Sequence, residues 1–209
     1  MAQVRELLFG THDPYAGVEA LLPFNKFGWN SDAPEFYKYI ERIKPKLIIE
    51  VGTYFGGSAR HMATLAKDFN KDVEIVCIDT FLGSVEHWHN HQYFKPDFFK
   101  VGRPPIYEQF ISNVIHLGLQ KTITPFPIDS INGGLTLQRY DVQADMIYID
   151  GGHEYESITT DLRVFRKLVR PGGILILDDS HYGPIQQAAR EQLIGGTITT
   201  EGTKIIWTR

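Results

Sequence analysis

Short apolar runs alternate with segments of helical periodicity along most of the chain. Five runs have the length and composition of strands buried on both faces: residues 47–49, 73–79, 123–129, 146–149 and 174–177. Between them, apolar residues recur every three or four positions, which predicts helices at residues 31–44, 58–66, 106–117, 155–168 and 185–193. Two last strands, residues 197–200 and 203–208, flank a Glu-Gly turn. This alternation predicts a doubly wound α/β domain with a mostly parallel sheet and antiparallel closing strands.

The size of the chain favours one domain. With 209 residues, 43% of them hydrophobic, it can bury one substantial core. We assign residues 1–45 to an N-terminal segment and helix, and residues 46–209 to the core of the domain. Residues 1–30 are predicted to be irregular, since they are rich in aromatic side chains, glycine and proline. This segment either covers the substrate side of the site or simply packs on the core.

Charge and cysteine content narrow the class of protein. A net charge of −4 predicts no general attraction to nucleic acid or to a membrane surface. The single cysteine, Cys77, excludes an internal disulfide and fits a reducing cytoplasm. It lies in an apolar run, which favours an inert packed thiol over a nucleophile. We therefore expect a cytoplasmic protein without nucleic acid or a membrane as partner.

A glycine-rich turn follows the first strand. The stretch EVGTYFGGS places Glu50 two residues before Gly52, and Gly56 four residues after it. A strand, a glycine turn and the N-terminus of a helix, near which Ser58 lies, make a site of the nucleotide-binding type. The spacing differs from the dinucleotide pattern G-x-G-x-x-G, and Glu50 would repel a diphosphate but suit an amino group. A nicotinamide-dependent oxidoreductase is therefore disfavoured.

The second strand ends on an acid. Asp79 follows the glycine turn by some twenty to thirty residues, a position from which a carboxylate can accept both hydroxyl groups of a ribose. We predict this role for Asp79, with Thr80 beside it. A helix cap or a solvated loop acid is the alternative.

The glycine turn resembles motif I of the class I S-adenosylmethionine-dependent methyltransferases, in a variant with Tyr54 in place of the middle glycine. The resemblance implies a Rossmann-like fold, S-adenosylmethionine as cofactor, and contacts of the turn with its methionine part. It also implies that Asp129 and Ser130, after the third strand, contact the adenine. The predicted cofactor-binding residues are Glu50, Gly52, Thr53, Tyr54, Gly56, Ser58, Asp79, Thr80, Asp129, Ser130 and Asp150.

Three further acids come at the ends of two neighbouring strands. Asp150 follows the fourth strand, and Asp178 and Asp179 follow the fifth. Because the carboxyl ends of parallel strands meet at one edge of a sheet, these side chains should converge. Carboxylates this close repel one another unless they share a proton, gain a basic partner or bind a hard cation such as magnesium.

The segments IDGGHEYESITTDL and LVRPGGILILDD resemble the metal-dependent O-methyltransferases related to macrocin and other sugar-modifying methyltransferases, a family that includes cephalosporin-hydroxylase-like proteins. The resemblance covers roughly residues 46–180. It implies that Asp150, Asp178 and Asp179 bind magnesium and that His153 is the general base. The catalytic residues would be His153 and Asp150, and the acceptor a hydroxylated sugar or natural product. The chemistry agrees, since methylating an alcohol requires loss of its proton and stabilisation of the alkoxide.

Several alternatives remain open. The chain could be a metal-independent methyltransferase, or a non-catalytic protein that binds S-adenosylmethionine. His87, His89 and His91 alternate in an aromatic stretch at residues 80–105, but this spacing alone does not hold three imidazoles on one ion, so we favour substrate contacts or a solvated surface. His181 is a second candidate base, ranked behind His153. The C-terminal strand pair is shorter than is usual in this fold, so we expect acceptor contacts from the N-terminal segment, from residues 80–105 or from another subunit of a homo-oligomer.

Overall fold

The computed structural model describes residues 3–89 and 99–209, in which seven strands form one sheet. They are β1 (Leu47–Val51), β2 (Glu74–Asp79), β3 (Ile123–Pro127), β4 (Ala144–Ile149), β5 (Val169–Leu177), β6 (Thr197–Glu201) and β7 (Lys204–Thr208). The strand order is β3-β2-β1-β4-β5-β7-β6. The first five strands are parallel, whereas β7 runs antiparallel to both β5 and β6. The predicted doubly wound α/β fold with antiparallel closing strands is confirmed.

Helices cover both faces of the sheet. They are α1 (Val4–Phe9), α2 (Pro34–Ile43), α3 (Gly57–Lys67), α4 (Val85–His89), α5 (Ile106–His116), α6 (Ser130–Arg139), α7 (Tyr155–Phe165) and α8 (Gly183–Gln192). One core packs the sheet against α2, α3 and α5, and the other packs it against α1, α6, α7 and α8. The strand order reverses between β1 and β4, so a crevice opens there at the carboxyl edge of the sheet.

Two helices were not predicted from the sequence. The prediction of an irregular segment at residues 1–30 is wrong for α1, which is short and is held by a distant acid. The buried carboxylate of Glu74 accepts hydrogen bonds from the backbone N–H groups of Val4 and Arg5 at 2.7 and 2.8 Å. The helix α6 begins directly after Asp129, which caps it. Both helices depend on capping contacts as well as on apolar periodicity.

Within the described part of the aromatic stretch at residues 80–105, the chain forms the short helix α4. His91 lies outside the described residues. No helix in the described ranges combines the length and apolar character that a membrane crossing requires.

Candidate functional site

A cavity of about 440 Å³ opens at the carboxyl edge of the sheet, where the strand order reverses between β1 and β4. The ends of four parallel strands contribute to it through Val51, Asp79, Asp150 and, just after β5, Asp179. Gly52, Thr53, Tyr54, Ser58, Thr80, Ser130 and His153 also line it. The cavity therefore brings together most of the residues that the sequence singled out.

The glycine turn approaches β4 too closely for any side chain. Gly52 has a φ of +82°, and a Cβ atom there would lie 2.1 Å from the carbonyl oxygen of Asp150. Gly56 also has a left-handed φ, and its Cβ would meet the ring of Phe110 at 2.9 Å. Both positions therefore require glycine. This close approach keeps the cavity wall free of side chains between β1 and β4.

Asp79 holds the glycine turn from the neighbouring strand. Its Oδ2 atom accepts hydrogen bonds from the backbone N–H groups of Thr53 and Tyr54, both at 2.8 Å. Its Oδ1 atom accepts one from Phe81 N–H at 2.7 Å. The carboxylate lines the cavity, so the predicted ribose contact would be made by oxygens that already fix the turn.

Glu50 lies behind the turn and does not line the cavity. Its fully buried carboxyl group accepts hydrogen bonds from the hydroxyl groups of Thr53, at 2.8 Å, and Ser58. Burial raises the pKa of Glu50 to about 8. The structure thus gives Glu50 a role in bracing the turn against α3, and its contact with an amino group of a ligand stays a prediction.

His153 and Asp179 both line the cavity, and their side chains are in contact. Nε2 of His153 lies 2.9 Å from Oδ2 of Asp179, but this buried nitrogen has no hydrogen-bond partner in good alignment. The close contact with Asp179 raises the pKa of His153 to about 9, and His153 lowers the pKa of Asp179. Tyr182 stacks parallel to the imidazole at 5.6 Å, and Glu86 lies 3.6 Å from Nδ1.

Asp150 completes a group of three ligand-type side chains. One donor atom each from Asp150, His153 and Asp179 lies within 4.8 Å of the others. Burial, followed by the charge of Asp178, raises the pKa of Asp150 to about 7. The hydroxyl group of Tyr148 lies 3.1 Å from its Oδ2 atom.

Asp178 does not belong to this group, contrary to the predicted set of Asp150, Asp178 and Asp179. Its carboxylate is buried beneath the cavity, where it accepts hydrogen bonds from Lys204 and, at 2.5 Å, from the hydroxyl group of Tyr148. The physical reason is the alternation of side chains along a strand. Asp178 continues the face of Ile176, which packs with Tyr148 in one core, whereas Asp179 turns the other way. Lys204 was not predicted.

The predicted adenine contacts, Asp129 and Ser130, have different surroundings. Asp129 caps α6 by accepting the N–H of Asn132 at 2.9 Å, and it does not line the cavity. Ser130 does line it and donates a hydrogen bond of 2.6 Å to Asp161 on α7. Asp161 was not predicted from the sequence. Its position among the apolar residues of α7 could have indicated a buried acid. Burial raises its pKa to about 6.

Aromatic side chains form the mouth of the cavity. His87 stacks on Tyr54 with a centroid distance of 5.1 Å, and Trp29 contacts the same tyrosine ring at 5.5 Å. The N-terminal segment therefore reaches the site through Trp29. His89 is exposed, and His181 is largely exposed with Nδ1 3.8 Å from Asp179. Among the described residues, neither His87 nor His89 belongs to a group that could hold a metal ion.

Fold and site together define a class I S-adenosylmethionine-dependent methyltransferase. The sheet order, the glycine turn at the switch point and the acid after β2 are the features of that class. The sequence matches the profile of a family described as "Methyltransferase domain" over residues 49–180, well over half of the chain. The protein belongs to this methyltransferase family. No curated protein sequence shows significant similarity to it.

Solved structures share the fold at low sequence identity. An O-methyltransferase from Bacillus cereus in complex with SAH superposes with a TM-score of 0.60 and 15% identity, covering 90% of this chain and 84% of the other. The calicheamicin methyltransferase CalS11 gives 0.56 and 18%, covering 83% and 76%. A Staphylococcus aureus protein assigned as a caffeoyl-CoA O-methyltransferase gives 0.57 and 13%, covering 83% and 80%. At these identities the similarity shows the fold.

Proposed function

We propose that the protein transfers the methyl group of S-adenosylmethionine to a hydroxyl oxygen of a small molecule, with His153 as the general base. One observation carries the proposal: His153, Asp150 and Asp179 line the same cavity as the glycine turn. The O-methyltransferases among the solved structures of the same fold support oxygen as the methyl acceptor.

The cofactor would lie along the carboxyl edge of β1, β2 and β4. The backbone of Gly52 to Gly57 would contact its methionine part, and Asp79 would accept its ribose hydroxyl groups. We infer that Ser130 and Asp161, which line the cavity, would contact the adenine, while Asp129, the cap of α6, does not line it. Carboxylates around the cavity also suit a cofactor that carries a sulfonium and an ammonium group.

His153 would take the proton of the acceptor hydroxyl group while the methyl group is transferred. Asp179 would stabilise the imidazolium that results, and Tyr182 would hold the plane of the ring. General-base catalysis contributes about 100- to 10,000-fold to a rate. Because Asp179 raises the pKa of His153 to about 9, a positive charge beside the imidazole, such as the sulfonium, would be needed to lower this pKa and make the ring a base at neutral pH.

The charges around the cavity indicate the class of acceptor. Asp79, Glu86, Asp150, Asp161 and Asp179 line it, whereas the described residues that line it include no lysine or arginine. An acceptor with phosphate or carboxylate groups would be repelled. A neutral or cationic molecule with an apolar face, such as a sugar or a natural product, fits the aromatic mouth.

The site also fits a divalent cation. Asp150 and Asp179 could hold it, with His153 as third ligand, because their donor atoms lie within 4.8 Å of one another and Nε2 of His153 is buried without an aligned partner. Carboxylate oxygens suit Mg²⁺ and Mn²⁺, and an imidazole extends the choice to other metals. A bound cation would lower the pKa of an acceptor hydroxyl group and stabilise the alkoxide.

Methyl transfer without a metal is the second candidate. It is favoured by the partners that the structure gives two of the acids, since Lys204 neutralises Asp178 and His153 neutralises Asp179. Their mutual repulsion therefore does not by itself require a cation.

Calorimetry separates these possibilities. S-adenosylhomocysteine is titrated into the protein, and Mg²⁺ and Mn²⁺ are then titrated into wild type, Asp179→Asn, His153→Ala and the matched control Asp129→Asn. Cation binding that is lost in Asp179→Asn but kept in His153→Ala would support Asp179 as a ligand and leave His153 free as base. Loss in His153→Ala as well would make His153 a ligand. Absence of cation binding in wild type supports the metal-independent reaction, and absence of cofactor binding refutes the proposal.

Transfer to oxygen is tested with radiolabelled S-adenosylmethionine and a panel of hydroxylated acceptors. Pairs of acceptors that differ by one phosphate or carboxylate group test the charge argument. Faster transfer to the charged member of such pairs would contradict it. Transfer that survives intact in His153→Ala would contradict the assignment of the base.

A further inference from the structure

A lysine is completely buried beneath the candidate site. Lys204 is the first residue of β7, and its side chain has no exposed surface. Its ammonium group contacts the carboxylate of Asp178 and lies 5.4 Å from the ring centre of Tyr148 and 5.6 Å from that of Phe36. Burying two charges costs several kcal/mol per ion unless their geometry compensates, and an apolar pair is often as stable. Stability alone therefore does not explain this ion pair.

Asp178 connects this lysine to the backbone of Asp179. Its Oδ1 atom accepts a hydrogen bond from the N–H of Asp179 at 2.7 Å. Asp179 has a φ of +56°, in the left-handed region that is unfavourable for a non-glycine residue. The hydroxyl group of Thr203 lies 3.3 Å from the same oxygen and helps to fix it. The ion pair with Lys204 therefore fixes the carboxylate of Asp178, and this carboxylate in turn fixes the backbone of Asp179.

Tyr148 carries the same network to Asp150. Its hydroxyl group lies 2.5 Å from Oδ2 of Asp178 and 3.1 Å from Oδ2 of Asp150. Both carboxylates that face His153 are thus connected to the buried lysine, Asp179 through the backbone and Asp150 through a phenol. Lys204 itself does not line the cavity.

We propose that Lys204 is a positioning residue for the methyl-transfer site: by holding Asp178, it fixes the left-handed backbone of Asp179 and the side chain of Asp150 so that both carboxylates face His153. The inference rests on the proposed function, because the position of these groups matters only if His153 and its neighbours act on the acceptor. Under this proposal the two adjacent acids after β5 have separate roles: Asp178 is structural, and Asp179 faces the site.

Two variants test this role. Lys204→Met removes the ammonium group but keeps an unbranched chain of similar size, and it leaves Asp178 buried without its partner. The double variant Lys204→Met with Asp178→Leu replaces the whole ion pair by apolar side chains, a change that buried ion pairs often tolerate without loss of stability. Lys38→Met is the matched control, since Lys38 is an exposed lysine paired with Glu201 on the neighbouring strand.

The readouts are the affinity for S-adenosylhomocysteine by calorimetry, the ¹⁵N chemical shifts of the His153 ring at neutral pH, and a crystal structure of the double variant. His153→Ala assigns the resonance. We expect the double variant to bind S-adenosylhomocysteine within about threefold of wild type, since the cluster does not contact the glycine turn. The His153 shifts should move towards those of a solvated histidine, and Asp179 should leave the left-handed region. Lys38→Met should match wild type in every readout.

An unchanged His153 spectrum and an unchanged Asp179 backbone in the folded double variant would overturn the proposal. Failure of both Lys204 variants to fold, while Lys38→Met folds, would also overturn it, because the cluster would then be a requirement of the fold. These readouts need no acceptor, so they remain decisive if transfer to oxygen is not found. If an acceptor is found, kcat should fall in the double variant with little change in the KM for S-adenosylmethionine.

Discussion

Replacing His153 with alanine should remove a pH-dependent part of the free energy of unfolding. The contact with Asp179 raises the pKa of His153 to about 9 in the folded state, against roughly 6.5 in an unfolded chain. Because the folded pKa is the higher one, the stabilisation is fully present below about pH 6.5 and is lost as the pH rises through about 9. The difference between the two pKa values corresponds to about 3 kcal/mol.

Solvent screening reduces this figure, since 29% of the side chain is exposed, and we expect about 2 kcal/mol. Urea unfolding followed by circular dichroism, on wild type and His153→Ala between about pH 6 and pH 10, measures the effect. The difference in free energy of unfolding should be largest near pH 6 and close to zero near pH 10. The raised pKa of Asp150 affects stability in both proteins, so to first order its contribution cancels in the difference.

His181→Ala is the matched control, because its ring nitrogen lies farther from Asp179, at 3.8 Å, and its side chain is 59% exposed. It should change the stability little at any pH. A difference between wild type and His153→Ala that does not vary with pH would refute the reasoning. So would a difference that grows as the pH rises.

Three further predictions concern the cofactor and the reaction. Gly52→Ala should weaken S-adenosylhomocysteine binding at least about tenfold in calorimetry, because its Cβ would clash with the backbone of Asp150, whereas Gly183→Ala, in open space, should not. Asp161→Ala should weaken the same binding by roughly tenfold, since its partner Ser130 would lose its acceptor; equal affinity would remove both residues from the adenine site. The value of kcat/KM should rise with pH until His153 is mostly neutral, and a pH profile that falls from about 7 to 9 would contradict its role as base.

The fold could be predicted from the sequence because its main determinants are local. The parallel strands β1, β2 and β4 are largely apolar on both faces. The glycine turn follows β1, β2 ends on Asp79, and Asp150 follows β4. Their carboxyl ends must meet at one edge once the sheet is parallel. This is why Asp79 and Asp150 could be assigned to the same crevice without coordinates. The helix α1 escaped prediction because its cap, Glu74, is seventy residues away in the chain.

The roles of individual residues in the candidate site could not be predicted from the sequence where they depend on the direction in which a side chain points. Asp178 and Asp179 are adjacent and chemically alike, yet one is buried on a lysine and the other faces the cavity. The alternation of β5 does not decide between them, because both faces of this strand are buried: Ile174 and Ile176 belong to one core, and Leu175 and Leu177 belong to the other. Lys204 gives no signal either, because a lysine at the start of a strand is usually exposed. Only the three-dimensional pairing of β5 with β7 brings it to Asp178.

The three acids differ in how their charge is balanced, and this difference determines what the cavity can do. Asp178 has a permanent partner in Lys204, and Asp179 has a titratable partner in His153. Asp150 has no cationic partner of this kind among the described residues, and burial, followed by the charge of Asp178, raises its pKa to about 7. A cation, from either a metal or the cofactor, would find its strongest unmet charge at Asp150. A cation bound there would also lower the pKa of His153. A lower pKa would make the imidazole neutral near neutral pH, as a general base at this position requires.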